Sequence, residues 1–158
     1  MKGFYLANEG HVVDVLPPVN VSGGVTGDRF TMRNYGHASI IVKLGVSSNS
    51  PPDAIIVKEC NAATGGTATA IGFTYYAEET AAGDTLGAKA TAATTGIVPS
   101  ANDNIFYVIE IDAAELTDGY EWIEVSMTNA SASSTIADVT AILSGSRFGN
   151  DQSATALV

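Results

Sequence analysis

From Asn104 to Asp112 the chain reads Asn-Ile-Phe-Tyr-Val-Ile-Glu-Ile-Asp, and nowhere else do large apolar side chains recur so densely with period two. That is the period of a β-strand, whose successive side chains leave opposite faces. Ile105, Tyr107, Ile109 and Ile111 share one face; Phe106 and Val108 share the other until Glu110 and Asp112 return it toward water. A strand apolar on both sides needs cover on both, which places the segment at the centre of the fold. The next apolar run, Glu121 to Thr128, sends Ile123, Val125 and Met127 one way and Glu124 and Ser126 the other. The two runs are expected to pair antiparallel across Ala113 to Tyr120, a connection with room for one helical turn before Asp118-Gly119 makes a turn that tolerates positive φ.

Other strands follow from the same alternation. In His37 to Gly45, Ala38, Ile40, Val42 and Leu44 oppose His37, Ser39, Ile41 and Lys43, the pattern of one core face and one wetter face. Ala54 to Cys60 and Ala68 to Tyr76 read as strands around a Gly65-Gly66 hairpin loop, with Tyr75-Tyr76 marking an edge, and Leu86 to Ala93 reads as a weak edge strand of Ala and Thr. Thr135 to Ser144 places Ala137, Val139, Ala141 and Leu143 opposite Ile136, Thr140 and Ile142. Shorter strands are expected at His11 to Leu16 and Arg29 to Arg33. Turn formers fill Ser47 to Asp53, and an acidic loop covers Glu78 to Thr85. Eight or nine strands with turns between them and no amphipathic helix predict an all-β fold, a single antiparallel β-sandwich of jelly-roll type. Residues 25–144 form the sandwich; 1–24 are an N-terminal arm with a possible edge strand, stiffened by Pro17-Pro18, and 145–158 are a C-terminal arm.

Composition narrows the function. The 158 residues carry 17 acidic and 7 basic side chains, a formal charge of −10 that opposes binding to nucleic acid or to an anionic membrane. No apolar run reaches the roughly 20 residues that span a bilayer, and the first ten residues lack the apolar segment of a signal peptide. Cys60, the only cysteine, is expected to be a buried thiol. A surface of Ser, Thr, Asn and Ala with few Lys side chains loses little side-chain entropy when another protein covers it.

Motifs for chemistry are missing from the sequence. His11 and His37 have no partner at metal-ligand spacing, and no Gly-x-Ser-x-Gly elbow is present. The acidic residues Asp112, Glu115, Asp118 and Glu121 follow no known calcium-loop order, and neither Gly23-Gly24 nor Gly65-Gly66 is followed by the Lys-Ser/Thr of a phosphate loop. The expectation is therefore a non-enzymatic protein without metal or cofactor. Tyr75, Tyr76, Tyr120 and Trp122 are the candidates for an aromatic sugar-binding platform, which makes a β-sandwich module for host-glycan recognition the alternative reading.

Four segments carry a family resemblance: Gly-His-Val-Val-Asp-Val-Leu-Pro-Pro-Val-Asn-Val (10–21), Met-Arg-Asn-Tyr-Gly-His-Ala-Ser-Ile-Ile-Val (32–42), Pro-Ser-Ala-Asn-Asp-Asn-Ile-Phe-Tyr-Val-Ile-Glu-Ile (99–111) and Ala-Ile-Leu-Ser-Gly-Ser-Arg-Phe (141–148). In these the chain resembles small virion structural proteins of tailed bacteriophages, and by size and composition capsid decoration proteins most of all. The resemblance implies a subunit made in the host cytoplasm that binds the outer surface of a phage capsid, with the major capsid protein or another virion protein as partner. It brings no catalytic or ligand motif with it. From the residues themselves, apolar anchors in the arms are expected at Phe4, Tyr5, Leu6, Phe148, Leu157 and Val158, with Pro17 and Pro18 keeping the first arm extended. A homo-oligomer, favoured as a trimer, is expected to use the Leu86 to Ala93 edge and Tyr75-Tyr76.

Overall fold

The computed structural model describes residues 3, 5–48, 51–80 and 84–147, and among them the chain is nearly all β. After a single turn of helix, α1 (Leu6–Glu9), come β1 (His11–Asn20), β2 (Val25–Thr26), β3 (Phe30–Thr31), β4 (Tyr35–Ser47), β5 (Ala54–Cys60) and β6 (Ala68–Ala70). They are followed by β7 (Phe73–Glu78), β8 (Ala90–Ala92), β9 (Ile105–Asp112), β10 (Trp122–Thr128) and β11 (Thr135–Ser146). A six-stranded sheet in the order β1-β11-β4-β9-β7-β8 packs on a smaller sheet in the order β2-β10-β5-β6, with β3 also pairing β10; every pairing is antiparallel.

The order β1-β11-β4-β9 against β2-β10-β5-β6 is that of an eight-stranded jelly roll. β3 and the β7–β8 pair are additions, and the pair widens the large sheet beyond β9. The single strand expected over Ala68 to Tyr76 is thus two strands in different sheets, parted at Ile71-Gly72, where the chain turns the corner of the sandwich.

The core lies between the two inner faces. Val13 and Val15 of β1, Ile40 and Val42 of β4, Tyr107 and Ile109 of β9 and Val139 and Ala141 of β11 face Ile55, Val57, Ile123 and Val125 from the small sheet, all buried. Full burial of each large aliphatic side chain contributes about 1.5–3 kcal/mol, so these alternating positions hold the sheets together.

Two expectations need correction. β9 and β10 do not pair: β9 lies between β4 and β7 in the large sheet, and β10 lies in the small one. The connection 113–121 crosses from sheet to sheet through a 3-10 turn at Ala113–Glu115, where the backbone N–H of Asp112 donates to the Glu115 carboxylate. Residues 11–21 are also more than an arm. β1 is the edge strand of the large sheet, and Val13, Val15, Leu16 and Val21 are core residues. Pro17 and Pro18 fit because they lie on an edge strand within a register break between Leu16 and Val19, where no ladder N–H is required. At this edge the next segment bridges both sheets, Gly27 N–H donating to the Val125 carbonyl at 2.9 Å and Asp28 N–H to the Val15 carbonyl at 2.8 Å.

Candidate interaction face

The outer face of the six-stranded sheet is built from the second set of alternating residues on each strand. Strand register aligns them in rows. Asp14, Thr140, Ile41, Val108 and Tyr76 form one row, and Val12, Ile142, Ser39, Glu110 and Thr74 the next. Asp138, Lys43, Phe106 and Glu78 form a third row on one flank; Ser144, His37 and Asp112 form a fourth on the other. Ile41, Val108, Phe106, Tyr76 and Ile142 are each half-buried by their neighbours, while Val12 is 50% exposed and Ile136 48%. An apolar band therefore runs across the sheet, bordered by polar and charged groups on both flanks. Apolar centre and polar rim is the anatomy of a protein contact surface.

One flank contains a dimple. Gly45 and Asn104 lie beside Phe106, Ile136 and the Lys43–Asp138 ion pair (3.0 Å) around a concavity of ≈ 280 Å³. It exists because position 45 faces outward without a side chain: a Cβ there would sit 3.4 Å from the Ile136 carbonyl, in the space the dimple occupies.

The other flank is a charged cluster. His37 Nδ1 lies 2.7 Å from Asp112 Oδ1 and its Nε2 2.8 Å from Glu110 Oε2, and the Ser39 hydroxyl donates to the same Glu110 oxygen at 2.6 Å. Partial burial alone would lower the imidazole pKa. The hydrogen bonds to Asp112 and Glu110 and the charges of both carboxylates outweigh it, so His37 titrates above the ordinary histidine value. The acidic residues singled out in the sequence have separate partners: Asp112 holds His37, Glu115 caps the 3-10 turn, and Glu121 pairs with Arg33, whose Nε is 3.0 Å away. Among the described residues no group of three or more His, Cys, Asp or Glu is placed to hold a metal ion.

The outer face of the small sheet is different. Glu124 on β10 and Lys58 on β5 are register partners and form an ion pair at 2.9 Å. Arg29 Nε donates to the second Glu124 oxygen at 2.8 Å, and Arg29 Nη1 donates to the carbonyls of Ala62 and Gly65, tying the loop after β5 to the sheet. That loop turns through Gly65 and Gly66, whose φ angles of 63° and 62° suit glycine. Burial raises the Glu124 pKa, but the hydrogen bonds from Lys58 and Arg29 outweigh it and hold the carboxyl below its ordinary value. Beneath these groups Cys60 is buried, and burial pushes its thiol pKa up. Glu124 and Ser126, which lie opposite Ile123, Val125 and Met127 as the alternation places them, are buried as well.

The residues expected to make contacts are dispersed. Tyr76 joins the apolar band, whereas Tyr75 points to the other side, into the core beside Phe73 and Tyr107, with ring centroids 6.4 and 6.3 Å away. Trp122 lies on the small sheet, so no sugar platform is assembled from Tyr75, Tyr76 and Trp122. Tyr5 is exposed before α1, Leu6 is half-buried, and Pro17 and Pro18 are exposed on β1. Phe4, Phe148, Leu157 and Val158 lie outside the described residues. The edge expected over Leu86 to Ala93 is the short β8, with no strand on its outer side among the described residues, whereas Tyr75-Tyr76 do not mark an edge, because β7 lies between β9 and β8; Val98, a few residues past β8, is 77% exposed. Ile41, Phe106, Val108, Ile136 and Ile142 were absent from the expected contact set, although their alternation was visible; each strand's second face gains meaning only once register joins them.

No protein-family model matches the chain, and no curated protein is similar to it. Among solved structures it is similar to the crystal structure of the SPBc2 prophage-derived protein YomS, with 15% identity and a TM-score of 0.49 over 85% of this chain and 92% of that one. A likeness of that size carries no argument about function, which rests on the surfaces described above.

Proposed function

We propose that the chain is a non-enzymatic structural protein of a phage virion, which decorates and stabilises the outer surface of the capsid through protein–protein contacts. The observation that carries this reading is the apolar band across the outer face of the large sheet. Six strands about 4.8 Å apart give a face about 24 Å across, and β4, with 13 residues at about 3.3 Å each, makes it about 40 Å long. Such a face is large enough for the roughly 800 Å² per partner of a stable protein interface. The segment resemblance to small tailed-phage virion proteins supplies the setting, and the major capsid protein or another virion protein is the partner.

In this reading the subunits associate as a trimer through the outer edge of β8, an Ala-Thr-Ala strand with no proline or charge to block pairing. The test is to purify particles of the phage that encodes the chain, quantify the chain by mass spectrometry and locate it by electron microscopy, then repeat with its gene deleted. Many copies on the outer surface, and heads less resistant to heat without them, are expected. Intact particles devoid of the chain would overturn the proposal.

A further inference from the structure

The charge of the large sheet's outer face identifies the kind of surface that covers it. Along its four rows the charged side chains that reach the surface are Asp14, Glu110, Asp112 and Asp138 against Lys43 and His37, Glu78 being buried and bonded to Thr80. Lys43 and Asp138 balance each other, and a protonated His37 balances only one of Glu110 and Asp112, so together with the exposed Asp14 the face keeps a net negative charge. Lys89, the residue before β8, is the next cation along the sheet. Two copies stacked on this face would bring acidic rims together, and like charges opposed across an interface cost affinity. The band is thus suited to apolar contact with a surface of opposite sign, not to itself.

We infer that this face docks a different protein whose contact surface has an apolar centre, one aliphatic or aromatic side chain that enters the Gly45 dimple, and Lys or Arg side chains set against Glu110 and Asp112. The inference rests on the proposed protein-contact role and specifies the partner's chemistry. A large side chain seated in a pocket and ringed by charge is the arrangement in which interface energy concentrates. Asp112, with its side chain 63% exposed, and Glu110, at 29%, keep oxygen surface available to such cations while they hold His37.

The test uses the full-length protein and defined probe surfaces: gold-supported monolayers ending in mixed methyl and ammonium groups, in methyl and carboxylate groups, or in ammonium groups alone, read by surface plasmon resonance. The methyl/ammonium surface should bind the wild type best. Ile41→Thr/Val108→Thr, which keeps β-branched residues on the strands, and Glu110→Gln/Asp112→Asn should each bind it about tenfold more weakly. Equal binding of the apolar double variant and the wild type would reduce the attraction to net charge and overturn the inference. So would concentration-dependent dimerisation, seen by sedimentation, that Ile41→Thr abolishes, because the face would then belong to a second copy. These outcomes are independent of whether purified particles contain the chain, so failure here is distinct from failure of the virion role.

Discussion

The two outer faces of this sandwich are treated in opposite ways. On the small sheet the outer face carries Lys58, Glu124 and Ser126, residue types that water would solvate, yet Glu124 and Ser126 are buried and Arg29 stitches the sheet to the loop after β5. On the large sheet the outer face carries Ile41, Phe106, Val108 and Ile142, which folding would gain by covering, and the described chain covers them only in part, with Val12 and Ile136 beside them exposed. Folding energy alone would favour the reverse. An apolar face only partly covered on a rigid sheet, beside a polar face closed at the cost of desolvating an ion pair, is the contrast on which the proposed contact role rests.

Substitutions can break or sharpen this contrast. The largest effect is expected at Ile109, which points into the core from the same strand that presents Val108 outward. Ile109→Ala should cost about 2–5 kcal/mol by loss of burial and cavity formation, read from urea denaturation midpoints. On the closed face, Glu124→Ala leaves Arg29 and Lys58 without their carboxylate and should cost about 1–3 kcal/mol in the same assay. A neutral result would mean that the network does not fasten the face. On the open face, Ile41→Thr and Val108→Thr should each fall within roughly 0.5 kcal/mol of wild type, because those side chains lie on the outer surface and Thr keeps the β-branched shape. A loss at Val108 as large as that at Ile109 would erase the contrast.

The smallest effect concerns pH. The folded pKa of His37 is raised above 6.5, so its bonds to Asp112 and Glu110 contribute stability that is full below the unfolded value and lost as pH rises through the folded one. The difference in denaturation midpoint between wild type and His37→Gln should therefore shrink as pH increases across that window. A constant difference from acid to mildly alkaline pH would show that His37 acts there by packing alone.

Much of the fold was legible in the sequence, for physical reasons that also mark where legibility ended. Period-two alternation located β4, β5, β9, β10 and β11 and distinguished the two sides of each strand, since that information is local. It could not name neighbours. β9 and β10 are successive apolar runs, but pairing depends on crossings between sheets that no single strand encodes. The burial of Glu124 was hidden for a similar reason: it depends on Arg29, 95 positions away in sequence. Pro17-Pro18 point to an extended arm with at most edge pairing, and an edge strand with a register break accommodates them while it delivers Val13 and Val15 to the core. The contact face was half visible. Ile41, Phe106, Val108 and Ile142 each stood out as apolar residues on a strand's second side, and the alignment that makes them one surface is a property of register.

The central claim, that the open outer face of the large sheet meets a partner on the virion, is tested most directly by hydroxyl-radical footprinting of the chain free in solution and bound to particles of its phage, with modification read residue by residue in the mass spectrometer. The account predicts that Ile41, Phe106, Tyr76 and Val108 label readily in the free protein and become protected on the particle, while Ile109 and Tyr107, buried in both states, do not change. Equal labelling of the four in both states, with the chain present on the particle, would contradict it.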